Sequence, residues 1–146
     1  MKIKSIFTLL LFCLLSNLAQ AKKNDIRWNE VLKPQYFAGK TILDGKDIIQ
    51  LSSPVRAEDP ALVPVKVTAN LEQTKDKYIK RLLLLIDNNP VPFVGEFEFT
   101  PDSGKADIAM RVRVNSYSYI RAIAEMNNGD LYMVKNYVKA SGGCSA

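Results

Sequence analysis

The sequence contains no histidine and only two cysteines, Cys13 and Cys144. Without histidine, a Ser-His-Asp triad, a Cys-His pair and a histidine-built metal site are all unavailable within one chain. There is no CxxC pair, so a dithiol redox centre is excluded as well. No apolar run approaches the roughly 20 residues that a membrane-spanning helix needs. Lysine and arginine are scattered, and the formal net charge is only +5. A nucleic-acid surface would show clustered basic residues.

The longest apolar stretch, Ile6 to Leu15, follows Lys2 and Lys4 and precedes Ala19-Gln20-Ala21. A positive start, a short apolar core and small residues at alternate positions form the pattern of a cleaved export signal over residues 1–21. Phe12 before Cys13 argues against lipoprotein processing, which needs a small residue there. Cutting after Ala21 takes 21 from 146 and leaves 125 residues, sufficient for one domain. It removes Lys2 and Lys4, which lowers the net charge to +3, and it removes Cys13. An intrachain disulfide is then impossible. The remaining Cys144 becomes either a reactive thiol or a site of intermolecular bonding.

Between the signal and the tail, residues 22–140 read as one domain. Asp25 to Leu32 predicts a short helix, capped by Asp25 or Asn24 and stopped at Pro34, with Trp28 as a packing residue. Ile48 to Leu51 is a short strand between turn signals. From Val63 to Leu71 apolar and polar residues alternate, as on a strand with one face to a core and one to water. Ile79 to Ile86 includes four consecutive leucines and suits a strand covered on both faces, or a short buried helix. Val91 to Phe99 and Ala106 to Val114 alternate again, separated by the turn Thr100-Pro101-Asp102-Ser103-Gly104. Tyr117 to Met126 and Leu131 to Ala140 form a final pair, joined by Asn127-Asn128-Gly129-Asp130, a tight hairpin signal. About seven short strands with regular turns indicate an all-β fold: an immunoglobulin-like antiparallel β-sandwich with a short N-terminal helix. A fold of this type specifies no chemistry by itself.

Residues 141–146, Ser-Gly-Gly-Cys-Ser-Ala, carry no large apolar side chain and are expected to form a flexible arm. Gly142 and Gly143 keep it thin ahead of Cys144. Fully extended, Ala140 to Cys144 spans about 13 Å. A thiol needs a base or a nearby cation to become a nucleophile, and this chain offers at most Lys135 and Lys139. Separate enzymes would therefore have to act on whatever Cys144 holds. The same composition also suits a frayed terminus or a linker to a further domain.

Several motifs in order resemble the SoxY family: Phe97-Glu98-Phe99-Thr100-Pro101, Ser103-Gly104-Lys105-Ala106, Ala122-Ile123-Ala124-Glu125-Met126, Gly129-Asp130-Leu131-Tyr132-Met133 and Gly142-Gly143-Cys144. The resemblance covers about Ile48 onward. It implies a periplasmic sulfur carrier of thiosulfate oxidation, not an enzyme, with sulfur intermediates held covalently on Cys144 and no other cofactor. Gly142 and Gly143 would form the delivering arm. The implied partners are a second sandwich, SoxZ-like and either separate or fused, and periplasmic Sox-type enzymes. The family pattern ends in two further glycines where this sequence has Ser145-Ala146. The chain also resembles one half of fused SoxYZ-like carriers associated with quinoprotein dehydrogenases, with Trp28 to Gly45 similar to their leading segment. The competing functional class is a non-catalytic periplasmic interaction module of that dehydrogenase system. Neither reading involves nucleic acid, or a membrane once the signal is removed.

Overall fold

A computed structural model describes residues 25–141 of the chain. The export signal of residues 1–21 and the residues Gly142, Gly143 and Cys144 lie outside that range. Two compact units divide at Gly39.

In the first unit, helical backbone starts at Asp25, widens into a π-helical turn over Trp28–Leu32 and continues as helix α1, Lys33–Phe37. The expectation that Pro34 ends the helix is corrected. A proline inside an α-helix meets the carbonyl four residues back and leaves a hydrogen bond unmade. Here the helix widens just ahead of it: the Lys33 N–H donates to Trp28 O, five residues back, and Pro34 falls in the first turn of α1. Trp28, Leu32 and Phe37 are buried, and the Trp28 and Phe37 rings lie 5.9 Å apart. Ala38 closes α1 in the left-handed conformation and donates its N–H to Pro34 O.

The second unit is a sandwich of eight strands: β1 Ile42–Asp44, β2 Ile49–Ser52, β3 Val63–Ala69, β4 Ile79–Ile86, β5 Phe93–Glu98, β6 Ile108–Val112, β7 Ser118–Met126 and β8 Leu131–Val138. One sheet has the order β1-β8-β7-β4-β5 and the other β2-β3-β6. All pairings are antiparallel except β1 with β8. The core lies between the sheets. β3 contributes Val63, Val65, Val67 and Ala69, with Lys66 turned outward, and the facing sheet contributes Leu82, Leu84, Ile86, Ile120, Ala122 and Ala124.

The leucine run of β4 is a strand buried on both faces. Leu82 and Leu84 join the core between the sheets, while Leu83 and Leu85 are buried on the other face. That resolves the helix-or-strand ambiguity. The sequence gives no sign of β1. Its three residues show no alternation, and its order comes from parallel pairing of Ile42, Leu43 and Asp44 with Leu131, Tyr132 and Met133. The chain then leaves this sheet at Gly45. The Gly45 N–H donates to Met133 O at 2.9 Å, and a Cβ at position 45 would lie 2.9 Å from the Met133 backbone.

Candidate functional site

The described strand that leads to Cys144 in sequence is β8. The β7–β8 hairpin is closed by a turn in which Gly129 has φ 90° and the Met126 N–H donates to Asp130 O. β8 then runs antiparallel to β7, with Val138 opposite Ser118. Val138 and Ala140 are buried in the core between the sheets. Between them, the Lys139 N–H donates to Val55 O at 2.8 Å, and Lys139 O accepts from the Ala57 N–H at 3.1 Å. A parallel bridge of Arg56 with Lys139 completes the clamp. Among the described residues Ala140 is the last in the core, and Ser141 is exposed. Cys144 follows four residues after this anchor.

Three loops meet at this end of the sandwich, and asparagine side chains join them. Residues 53–62 link β2 to β3, 87–92 link β4 to β5, and 113–117 link β6 to β7. Asn89 Nδ2 donates to Arg113 O, and Asn89 Oδ1 accepts from the Asn115 N–H. Asn88 donates through its backbone N–H to Ser118 Oγ and through Nδ2 to Tyr117 O. The Val114 N–H donates to Pro60 O, which ties in the loop that clamps Lys139. Asn136 Nδ2 of β8 donates to Leu51 O at 2.9 Å, across to the other sheet. These bonds satisfy backbone groups that would otherwise need water, and they fix the loops to the strands.

An ion pair sits just beneath. Arg121 of β7 and Asp87, the first residue after β4, are almost completely buried, and the guanidinium grips the carboxylate through Nε at 2.8 Å and Nη2 at 2.7 Å. The Asp87 N–H donates to Tyr119 O. The Tyr119 ring lies under Arg121 at 5.3 Å and under Lys135 Nζ at 4.5 Å, and meets Tyr137 edge-on at 5.0 Å. Burial first, and then Tyr119 and Tyr117, raise the Tyr137 phenol above its ordinary value. Lys135, one of the two cations offered for thiol activation, is thus seated on an aromatic ring. Lys139, the other, is half-buried just after β8. Sequence reasoning did not find the Arg121–Asp87 pair. Position 121 lies in a strand with buried neighbours on both sides, and nothing local marks it as paired with a residue 34 positions earlier.

Among the described residues, no group of three or more Cys, Asp or Glu could hold a metal ion, and no helix is long and apolar enough to cross a membrane. On the face of the three-stranded sheet lies an open trough of about 670 Å³, bordered by Ser53, Pro54, Pro64, Lys66 and Arg111.

Comparison with known proteins places this geometry. A family model described as sulfur oxidation protein SoxY matches residues 33–144. Among solved structures, the sulfur carrier protein SoxY from Chlorobium limicola f thiosulfatophilum is 22% identical, with a TM-score of 0.62 over 79% of this chain and 96% of that one. A superoxide reductase (neelaredoxin) from Ignicoccus hospitalis is 15% identical, with a TM-score of 0.58 over 66% of this chain and 82% of that one. A putative superoxide reductase from Thermotoga maritima is 18% identical, with a TM-score of 0.57 over 69% and 93%. No curated protein sequence matches the chain. At these identities the structural likenesses establish a shared immunoglobulin-like fold. The family match takes in α1 and all eight strands and reaches Cys144, and on that basis the chain belongs to the SoxY family.

Proposed function

We propose that the protein is a covalent sulfur carrier of the thiosulfate-oxidation type, holding its cargo on Cys144 and presenting it to partner enzymes. The observation that carries this reading is the position of Cys144. The family match runs through it, and the sandwich anchors the chain four residues before it. Extended backbone allows the thiol about 13 Å from Ala140, with Gly142 and Gly143 adding no side-chain bulk along the way.

The chemistry follows from what a thiolate can do. Joining the Cys144 thiolate to thiosulfate through an S–S bond releases two electrons, and a partner enzyme must accept them. Water added to the terminal sulfonate of that adduct releases sulfate and a proton and leaves a persulfide on Cys144. The chain contains no histidine to serve either step. Its own contribution is to hold the sulfur and bring it to others. A second, SoxZ-like sandwich and Sox-type enzymes, or a quinoprotein dehydrogenase system, are the partners this reading implies. The export signal at residues 1–21 would place the work in the periplasm.

Replacing Cys144 with Ser tests the reading. A hydroxyl cannot form the S–S link, so thiosulfate turnover supported by this chain should disappear. Unfolding stability should change by less than about 0.5 kcal/mol, as for surface positions generally. Full turnover with the Cys144→Ser protein would refute the carrier.

A further inference from the structure

Strands β2, β3 and β6 carry only two charged side chains, Lys66 and Arg111, and both are exposed cations. Among the described residues neither forms an ion pair, whereas Arg81 and Arg121 of the other sheet are held by carboxylates. Register places the two cations side by side. Lys66 stands opposite Ser52 on one flank and Ala109 on the other, and Arg111 stands opposite Pro64, two residues along the same face. Such diagonal neighbours lie about 7–8 Å apart, and like charges so placed repel. An anion between them would offset that repulsion. Asp107, just before β6, does not serve: its carboxylate accepts from the Ala69 N–H at 2.8 Å.

The trough beside these cations has a local cause. The β2–β3 ladder runs from Ile49 with Ala69 to Ser52 with Lys66. Two residues further it would set Pro54 against Pro64, and neither has an N–H to give. The ladder stops, and the small side chains of Ser52 and Ala109 leave the face open. No residue that lines the trough is acidic.

We infer that Ser52, Lys66 and Arg111 form a non-covalent site for a small tetrahedral oxyanion with two negative charges, of the sulfate, thiosulfate or phosphate type. The inference does not rest on the carrier reading of Cys144. Arg111 offers a planar fork of N–H donors that matches two oxygens of such an ion, and Lys66 adds a compact ammonium. The Ser52 hydroxyl, on the exposed face directly opposite Lys66, can donate to a further oxygen. The donors come from three strands and so reach the ion from different directions. A carboxylate presents two oxygens in one plane and half the charge, and it satisfies the Arg111 fork alone. Because the trough is open to water, salt screens the attraction, and the site fills only when the ion is abundant.

The test titrates the Cys144→Ser protein, which cannot hold sulfur covalently, with sodium sulfate, thiosulfate or phosphate through the millimolar range. Sodium chloride keeps the ionic strength constant, and backbone amide shifts in NMR spectra report binding. The expected result is saturable movement centred on Ser52, Lys66 and Arg111 with at least one of the three ions. The thermal midpoint should rise with that ion, as for any ligand of the folded state. Lys66→Gln and Arg111→Gln should each weaken binding about 10-fold, the effect of losing one charge-assisted contact, and leave the rest of the spectrum unchanged. A Lys80→Gln/Lys105→Gln protein, which loses two exposed cations elsewhere, should bind as its parent does. Shifts that grow linearly and match those of sodium chloride alone overturn the site. Equal weakening in the Lys80→Gln/Lys105→Gln protein also overturns it, because net charge would then be the cause. Acetate binding as tightly as the tetrahedral ions does so too. Failure of the carrier reading would appear in thiosulfate turnover and leave these shifts as they are.

Discussion

At the residue scale, the feature with the largest energetic consequence is the buried Arg121–Asp87 pair. Two charges removed from water are expensive unless each satisfies the other, so losing one partner leaves an uncompensated buried charge. Arg121→Ala should destabilise the sandwich by about 3–5 kcal/mol in urea unfolding. An Arg121→Met/Asp87→Leu double variant should recover much of that loss, because no orphan charge remains. If the single and double variants are equally unstable, the pair is not what makes position 121 sensitive. The half-buried Arg81 supplies the contrast. It pairs with Glu96 at 2.8 Å and with Glu125, and those two carboxylates raise its pKa further above the ordinary arginine value. Being partly solvated, that network contributes far less.

At the element scale, strand β1 and the crossing at Gly45 join the two sheets beside β8. Any side chain at position 45 would push against the Met133 backbone, which is part of a strand and cannot yield cheaply. Gly45→Ala should cost about 1–3 kcal/mol, as over-packing commonly does. It should also speed amide exchange at Met133 and along β1 more than along β4. Uniform exchange in the variant would show that β1 is not locally dependent on the close approach. The elements also differ in how far the sequence discloses them. Ile79 to Ile86 holds an unbroken apolar run from Leu82 and forms a strand over those same residues, and β3 shows its alternation plainly, because burial and periodicity are local in both. β1 is legible only with its partner in view, since three residues paired in parallel to β8 leave no period in the chain. Helix α1 was hidden by Pro34. A proline tolerated beside a π-helical turn looks the same in sequence as one that ends a helix. Of the candidate site, Cys144 and its glycines stand out by composition alone. The Asn88 and Asn89 pins do not, because they join loops distant in the chain.

At the scale of the whole molecule, the carrier reading makes the sandwich a mount for Cys144. Its core includes Val138 and Ala140, and its loops clamp Lys139, five residues before Cys144 in sequence. The immunoglobulin-like fold is shared with superoxide reductases, so the architecture does not distinguish a carrier from an enzyme, and the distinction falls to Cys144. The most direct measurement is therefore the intact mass of the protein isolated from cells oxidising thiosulfate, taken before and after reduction and followed by fragmentation to locate any adduct. The same spectrum reads the N-terminus. The expected result is a chain beginning at Lys22, with added mass of one sulfur atom or of a thiosulfate-derived group on Cys144, lost on reduction. A Cys144 thiol free in every preparation from active cells would contradict the carrier.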